Sequence, residues 1–164
     1  IDYLKELGAD YIVNYKTTNY GKAISAHLKG GRIDVSFNPV AGSTFKTDWK
    51  LIGSGGRVIL FGGSERSGKK WGTFSTLNFV RKMGLIIPIG LMMRSKNVLG
   101  VNMLKIADNQ PMVINSCLNA VLDLAKEKKI TPKVGASFLA DELSNAHQFL
   151  ESGESTGKVF VTWD

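Results

Sequence analysis

The sequence predicts an α/β protein built around a parallel sheet. Two short apolar runs, 33–38 and 57–61, each end in small or polar residues, and an amphipathic segment at Ser43–Ile52 separates them. A strand that is buried on both faces of a parallel sheet reads as such a continuous apolar run. Ligands of open α/β sheets bind at the carboxyl ends of the strands, so the stretches 38–42 and 61–63 form the first candidate site. An α/β core that binds nothing here is the alternative.

Helix and strand signals alternate before these two runs. Apolar side chains at helical spacing in Ile1–Leu7 predict a helix, and Gly8 is a residue that commonly ends one. The aromatic and β-branched residues of Tyr11–Tyr15 predict a strand. Thr17 or Thr18 is a suitable N-cap for a second helix, which a glycine pair closes. This alternation predicts parallel strands joined by right-handed crossovers.

The last third of the chain departs from this alternation. A strand is predicted at Asn97–Val101, and Pro111 then begins the longest helix, Met112–Lys129. The predicted buried stripe of this helix consists of Val113, Cys117, Ala120, Val121 and Leu124. The elements that follow are an extended piece at Val134–Leu139, a helix capped by Asp141 that buries Leu143, Ala146, His147 and Leu150, and a strand at Gly157–Thr162. This order is that of a returning tail rather than another βα unit.

The net charge of +7 comes from one segment of the chain. Residues 66–96 contain seven basic residues and no acidic one, and the rest of the chain carries 14 of each sign. A general nucleic-acid surface is disfavoured, because no basic helix or nucleic-acid motif accompanies the charge. Two interpretations remain open: a local anionic partner, such as a cofactor phosphate, an acidic substrate or a lipid surface, and a solvated loop without a partner.

Composition argues against several other classes of protein. The single cysteine, Cys117, cannot form an intramolecular disulfide or a cysteine-based zinc cluster, and it fits a reducing compartment such as the cytoplasm. The apolar run Gly84–Met93 is about half the length that crosses a bilayer. Neither His27 nor His147 has a serine, cysteine or metal-spaced partner, so a nucleophilic triad or a zinc hydrolase lacks support. The Tyr-x-x-x-Lys pair of short-chain reductases does not occur in the sequence.

Five stretches carry a family resemblance by their order and spacing. They are Leu4–Tyr15, Asp34–Gly42, Gly55–Gly63, Leu99–Met103 and Ala146–Val159. Taken together, they resemble the C-terminal part of a medium-chain dehydrogenase/reductase of the zinc-independent quinone-reductase type. The resemblance covers essentially the whole chain, and the segment Trp71–Met103 looks closer to the vesicle amine transport protein branch of that family.

The resemblance implies a partial Rossmann fold, a doubly wound parallel sheet of strand order 3-2-1-4-5-6. Ile1–Leu7 would lead into the third strand, so the first two strands would lie upstream of this chain. The glycine-rich pyrophosphate fingerprint would lie there as well, since no G-x-G-x-x-G occurs in the sequence. We therefore expect a fragment with a partial dinucleotide-binding domain at 1–130. Residues 131–164 would be the C-terminal tail that returns to a GroES-like catalytic domain.

The resemblance also implies which residues contact the cofactor, expected to be NADP with NAD as the alternative. Tyr15 matches a tyrosine at the adenosine-phosphate end, and Ser155 matches a contact in the Gly153–Gly157 turn. The residues that match the nicotinamide end are Phe61, Gly62, Gly63, Ser64, Glu65, Arg66 and Ser67, together with Val101, Asn102 and Met103. Packing or a tight turn is the alternative role for these positions. Pro39 departs from the family pattern, because several relatives have asparagine there.

The function that the resemblance implies is NAD(P)H-dependent reduction of a quinone or enone, without a catalytic metal. No residue of the chain is nominated as catalytic, and the fragment alone is expected to be inactive with little NADPH affinity. The alternative is a non-catalytic or vestigial NADPH-binding protein that associates with a membrane surface or a protein partner. We also expect a homodimer through antiparallel pairing of the Asn97–Val101 edge, which a proline at Leu99 should prevent.

Overall fold

The computed structural model describes residues 2–63 and 72–163, and from 72 to 76 it describes the backbone alone. The chain forms two compact units, Ile1–Lys105 and Ile106–Asp164. The polar loop expected at Ser64–Gly72 lies outside the described residues, apart from Gly72. In the described part of the chain, no helix is long and apolar enough to cross a membrane.

Helices and strands alternate through most of the first unit. The elements are α1 (Asp2–Glu6), α2 (Tyr20–His27), β1 (Ile33–Asn38), α3 (Ser43–Leu51), β2 (Ile52–Leu60), α4 (Gly72–Met83), α5 (Pro88–Arg94) and β3 (Asn97–Gly100). A short helix, α6 (Met103–Asn109), spans the boundary between the units. The second unit contains α7 (Pro111–Lys126), β4 (Val134–Leu139), a 3₁₀ turn (Ala140–Glu142), α8 (Leu143–Ser152) and β5 (Lys158–Thr162).

The first unit is built on a parallel sheet, as the sequence predicts. The strand order is β1-β2-β3, so each strand pairs with the next one along the chain. Asn38 lies beside Leu60, and Leu60 lies beside Gly100, which brings the carboxyl ends of the three strands to one edge of the sheet. This order and direction confirm the predicted fold class.

Strand β2 begins five residues before the predicted start at Arg57. The register shifts between Ile33, which pairs with Ile52, and Val35, which pairs with Arg57, so β2 accommodates extra residues as a bulge. Gly55 lies in this bulge with a φ of 82°, a conformation that glycine adopts without steric cost. The glycine-rich stretch before Arg57 is therefore part of the strand rather than a preceding loop.

The core of the first unit lies between the sheet and α3. Phe45, Ile52 and Val58 are at most 4% exposed. Half-buried side chains pack around them: Ile33, Trp49, Leu60 and Val98. One face of α3 therefore holds the helix against β1 and β2, which fixes the loops that leave the carboxyl ends of those strands.

Two expectations for the start of the chain are wrong. Tyr11–Tyr15 is not a strand, because no strand pairs with it among the described residues, and an extended segment without a partner forms no ladder. The ring of Tyr11 instead stacks on His27 of α2, with ring centroids 3.9 Å apart. Helix α2 is capped by Asn19 rather than by Thr17 or Thr18, because the Asn19 side chain accepts a hydrogen bond from the backbone N–H of Lys22.

The second unit confirms its predicted strands but not its predicted buried faces. β4 and β5 pair in parallel and match the extended segments expected there. No residue of α7 is buried, because no other element of its unit packs extensively against this helix among the described residues. The stripe predicted to be buried is exposed or half exposed instead: Val113, Cys117, Ala120, Val121 and Leu124.

Helix α8 differs from its prediction in a similar way. Of the four positions expected to be buried, only Ala146 is, at 5% exposed. His147 is exposed, as are Leu143 and Leu150. Asp141 lies within the 3₁₀ turn and does not cap α8, since the residue preceding that helix is Glu142.

Candidate functional site

A cleft of about 570 Å³ opens at the carboxyl ends of β2 and β3. Its walls are two stretches of chain, 60–63 and 100–104. Six residues predicted from the sequence line it: Phe61, Gly62, Gly63, Val101, Asn102 and Met103. The structure thus brings the described part of the first predicted nicotinamide segment, 61–63, together with the second, 101–103, in one concave site.

Backbone hydrogen bonds hold the two walls of the cleft in register. The N–H of Val101 donates to the carbonyl of Leu60 at 2.8 Å, which extends the pairing of β3 and β2 beyond the end of the strand. The N–H of Phe61 donates to the carbonyl of Asn38 at 3.3 Å and links the first wall to β1. The cleft is therefore part of the sheet framework rather than a gap between independent loops.

The glycines of the cleft have different surroundings. A Cβ built on Gly62 would lie 2.5 Å from the carbonyl oxygen of Pro39, so only glycine fits this approach. A Cβ on Gly63 would meet the ring of Phe79 at an ordinary 3.7 Å, and one on Gly100 would meet nothing within 4 Å. Gly62 therefore serves packing, whereas the missing side chain at Gly100 leaves space within the cleft.

The second wall combines apolar side chains with one amide. Met103 and Leu104 are more than half exposed, and the side-chain oxygen of Asn102 accepts a hydrogen bond from the N–H of Lys105 at 3.1 Å. Asn102 therefore caps the start of α6, which is a structural role for a residue expected to contact the nicotinamide carboxamide. The cap also fixes the direction in which the chain leaves the cleft.

A buried polar network lies behind the first wall, and sequence reasoning missed it. The side chain of Asn38 is 3% exposed and its oxygen accepts hydrogen bonds from the N–H groups of Val40 (2.9 Å) and Ala41 (2.7 Å). Its amide nitrogen donates to Asp48, itself 8% exposed, at 2.5 Å. One feature of the sequence could have indicated this network. Asp48 is an acidic residue at a position of α3 that the helical period assigns to the core, between Phe45 and Leu51.

Two other predicted site residues, Tyr15 and Ser155, do not line this cleft. Tyr15 is 74% exposed and is not one of the lining residues. Ser155 is half-buried and belongs to the second unit. The positions Ser64, Glu65, Arg66 and Ser67 lie outside the described residues.

The lining of the cleft determines what it can do chemically. Its described side chains are apolar or, in Asn102, an amide, and none is titratable. Glycines on both walls let the backbone approach a flat ligand closely, as a nicotinamide ring requires. The site fits the binding and orientation of such a ring, but its described lining supplies no general acid or base.

A parallel sheet with a cleft at its carboxyl edge is the arrangement of Rossmann-type nucleotide-binding domains. Comparison with known families narrows this class, since the profile of the family described as "Zinc-binding dehydrogenase" matches residues 7–161. The chain belongs to this family, part of the medium-chain dehydrogenase/reductase superfamily. Within the described residues, no group of three or more histidine, cysteine or acidic side chains is placed to hold a metal ion.

Known proteins similar to this chain agree with that assignment. The synaptic vesicle membrane protein VAT-1 homolog of Danio rerio is 20% identical over 98% of this chain and 33% of its own length. A probable quinone oxidoreductase of Leishmania amazonensis is 26% identical over 98% of this chain and 45% of its own length. The crystal structure of JamJ enoyl reductase superimposes with a TM-score of 0.74 at 19% identity, covering 100% of this chain and 44% of that one.

Two facts follow from these comparisons. The chain spans less than half the length of these relatives. The structural likeness confirms the predicted Rossmann fold.

Proposed function

We propose that this chain supplies the nicotinamide end of the cofactor site in an NAD(P)H-dependent oxidoreductase that reduces quinones or enones. The observation that carries the proposal is the cleft at the ends of β2 and β3, which joins two separate predicted segments of the sequence. The quinone oxidoreductase relative supports the substrate class, and family membership supports a nicotinamide cofactor.

The residues of the cleft would hold the cofactor through shape rather than charge. The backbone at Gly62, Gly63 and Gly100 would allow the ring to lie against the chain, with Phe61 and Met103 as apolar contacts. The bound nicotinamide supplies the hydride. The contribution of these residues is to orient the ring and to exclude water from one side of it.

Several finer features belong to the same proposal. NADP is the proposed form of the cofactor. Tyr15 would contact its adenosine-phosphate end, and Ser155 would contact it from the Gly153–Gly157 turn. Ser64–Ser67 would complete the loop around the nicotinamide. The resemblance to zinc-independent quinone reductases supports a reaction without catalytic zinc. Residues 1–130 would form the cofactor-binding part and 131–164 the tail of the catalytic domain, in a protein of the cytoplasm.

The protein is also proposed to be a homodimer through the outer edge of β3, which is at one end of the sheet. The hydrogen bonds of β3 determine where a proline must be placed to test this dimer. Because Val101 donates its N–H to Leu60, the alternation of a parallel strand directs the N–H of Leu99 toward β2 as well. A proline at Leu99 would therefore break the sheet itself, and Gly100 is the position whose N–H faces outward.

Titration with half-cofactors tests the cleft directly. We expect nicotinamide mononucleotide to bind with a Kd of about 1 mM, which corresponds to about −4 kcal/mol. The amide NMR signals of 61–63 and 101–104 should therefore shift when this compound is present at about 10 mM. AMP should leave these signals in place. Intact NADPH should show little or no binding, and a submillimolar Kd would contradict this expectation, because the pyrophosphate fingerprint is not part of this sequence.

A pair of glycine variants provides the control. Gly100→Val fills open space in the cleft without meeting protein atoms within 4 Å of the new Cβ, so it should abolish the shifts. Gly90→Ala places a methyl group in α5, outside the cleft, and should leave them unchanged. If nicotinamide mononucleotide shifts none of the cleft signals in the original chain, the proposed site is wrong.

A further inference from the structure

Asp48 is a buried carboxylate on the inner face of α3, and both of its oxygens have partners. Oδ1 accepts a hydrogen bond from the hydroxyl of Tyr20 at 2.9 Å. Oδ2 accepts from the hydroxyl of Ser36 at 2.8 Å and from the amide of Asn38. One side chain of α3 therefore connects α2 with two positions of β1. Burying a carboxylate is costly unless such partners are present.

The carboxylate determines which way the Asn38 amide points. A carboxylate only accepts hydrogen bonds, so it takes the NH₂ group of Asn38 and leaves the amide oxygen to face the turn. That oxygen receives the N–H groups of Val40 and Ala41, the first two residues after Pro39. The amide nitrogen also donates to the hydroxyl of Thr44 at 2.9 Å. If the amide were flipped, its NH₂ group would face the N–H groups of Val40 and Ala41, and neither side could accept a hydrogen bond.

The turn that Asn38 holds is the support of the cleft wall. Its second residue is Pro39, and the carbonyl oxygen of Pro39 faces Gly62 so closely that no Cβ fits between them. The carbonyl of Asn38 also accepts the N–H of Phe61. A displacement of the turn would therefore be transmitted to the cleft wall through backbone contacts, with no flexible side chain between them to absorb it.

Tyr20 keeps its proton within this network. Burial and the neighbouring Asp48 raise the pKa of Tyr20 well above its ordinary value, so the tyrosine remains the hydrogen-bond donor to Asp48. Its hydroxyl also lies 3.1 Å from the carbonyl of Thr44, at the first turn of α3. In the described part of the chain, no buried side-chain polar atom lacks a partner.

We propose that Asp48 is a positioning residue for the cleft: through Asn38 and the carbonyl of Pro39 it sets where the Gly62 backbone lies. This inference rests on the proposed function for its consequence, because a nicotinamide ring would lie against that backbone. Asp48 is not one of the residues that line the cleft, and it acts through the turn 38–44. A residue that served only to join α3 to the sheet would not need to bond the side chain that accepts the turn's N–H groups.

The test compares Asp48→Ala with Ile52→Val, a variant that loses a methyl group in the core without touching the network. In Asp48→Ala, the amide signals of Gly62 and Gly63 should move in the absence of any ligand. Affinity for nicotinamide mononucleotide should fall about tenfold, since small displacements of a binding group are costly. Asp48→Asn should restore most of the affinity, because its side-chain oxygen can still accept from Asn38. Ile52→Val should lower thermal stability and change neither readout.

A second variant covers the case in which Asp48→Ala does not fold. Asn38→Asp would place two carboxylates in contact, and such a pair does not ionise fully at neutral pH. The signals of Gly62 and Gly63 should then depend on pH in this variant and not in the original chain. Unchanged glycine signals in folded Asp48→Ala, or pH-independent ones in Asn38→Asp, would overturn the proposal. If nicotinamide mononucleotide fails to bind the original chain while the ligand-free signals still move, the proposed function fails and the positioning role stands.

Discussion

Replacing Gly62 by alanine is the most direct perturbation of the cleft. The added methyl carbon would lie 2.5 Å from the carbonyl oxygen of Pro39 and 3.2 Å from its carbonyl carbon, whereas ordinary contacts are at about 3.5 Å or more. Relief therefore requires a shift of roughly 1 Å in a backbone that Asn38 holds by two hydrogen bonds. Overpacking of this kind costs about 1–3 kcal/mol.

Thermal unfolding followed by circular dichroism measures this cost. For a chain of this size, about 1 kcal/mol corresponds to a change of about 2–4 °C in Tm, so Gly62→Ala should lower Tm by roughly 2–12 °C. The matched control is Gly100→Ala on the opposite wall, where the new methyl group meets nothing within 4 Å. It should stay within about 0.5 kcal/mol of the original chain.

The loss of stability in Gly62→Ala should be accompanied by weaker ligand binding. Gly62→Ala displaces the cleft wall, so the shifts caused by nicotinamide mononucleotide should weaken together with stability. A Tm of Gly62→Ala equal to that of Gly100→Ala would refute the reasoning, because it would mean that the chain absorbs the methyl group without moving the turn. The proposed path from Asn38 to the cleft would then lose its physical basis.

Three further predictions concern the turn, the half-buried tyrosine and the sheet edge. Ala41 has a φ of 57°, so Ala41→Gly should stabilise the chain by up to about 1 kcal/mol in urea unfolding. Because its pKa is raised, Tyr20 keeps its proton in the folded state to a higher pH than in the unfolded chain. The stability that its hydroxyl contributes is therefore complete below pH 10.0 and is lost as the pH rises above that value. Tyr20→Phe should therefore be less stable than the original chain at neutral pH, and the Tm difference should narrow in alkali. Gly100→Pro should yield a monomer in sedimentation analysis while Gly100→Ala stays dimeric; a dimeric proline variant would exclude this edge.

The sheet could be predicted because its strands are buried as continuous apolar runs. Ile33–Asn38 and Asn97–Val101 were placed to within a residue, and Ser43–Ile52 was recognised as a helix from apolar side chains at helical spacing. Family resemblance predicted the two segments of the sequence that line the candidate cleft. Their meeting at one edge follows from the parallel direction of the strands.

The failures arise where local sequence depends on a partner. Tyr11–Tyr15 has the composition of a strand, but among the described residues no strand pairs with it. The apolar face of α7 has the right period, but no other described element of its unit covers it extensively. Composition and period describe which faces a chain can bury, and only the neighbouring elements determine whether they are buried.

Asp48 was missed for a different physical reason. Sequence patterns treat an acidic residue as exposed, since buried carboxylates are rare unless they are paired or hydrogen-bonded. Its three donors come from Tyr20, Ser36 and Asn38, which are separated from it by 10 to 28 positions in sequence. No local pattern connects residues at such separations, so the network becomes visible only when α2, β1 and α3 are packed together.

The composition of the cleft separates cofactor orientation from proton transfer. None of its described lining residues is titratable, so this part of the lining can hold a ring but supplies no proton donor. Reduction of a quinone or enone by hydride also requires that the developing negative charge be neutralised. Under the proposed function, the groups that neutralise this charge are not among the described lining residues. We therefore expect substitutions at the Pro39–Gly62 contact and in the network behind it to change how the ring is held rather than how the proton is transferred.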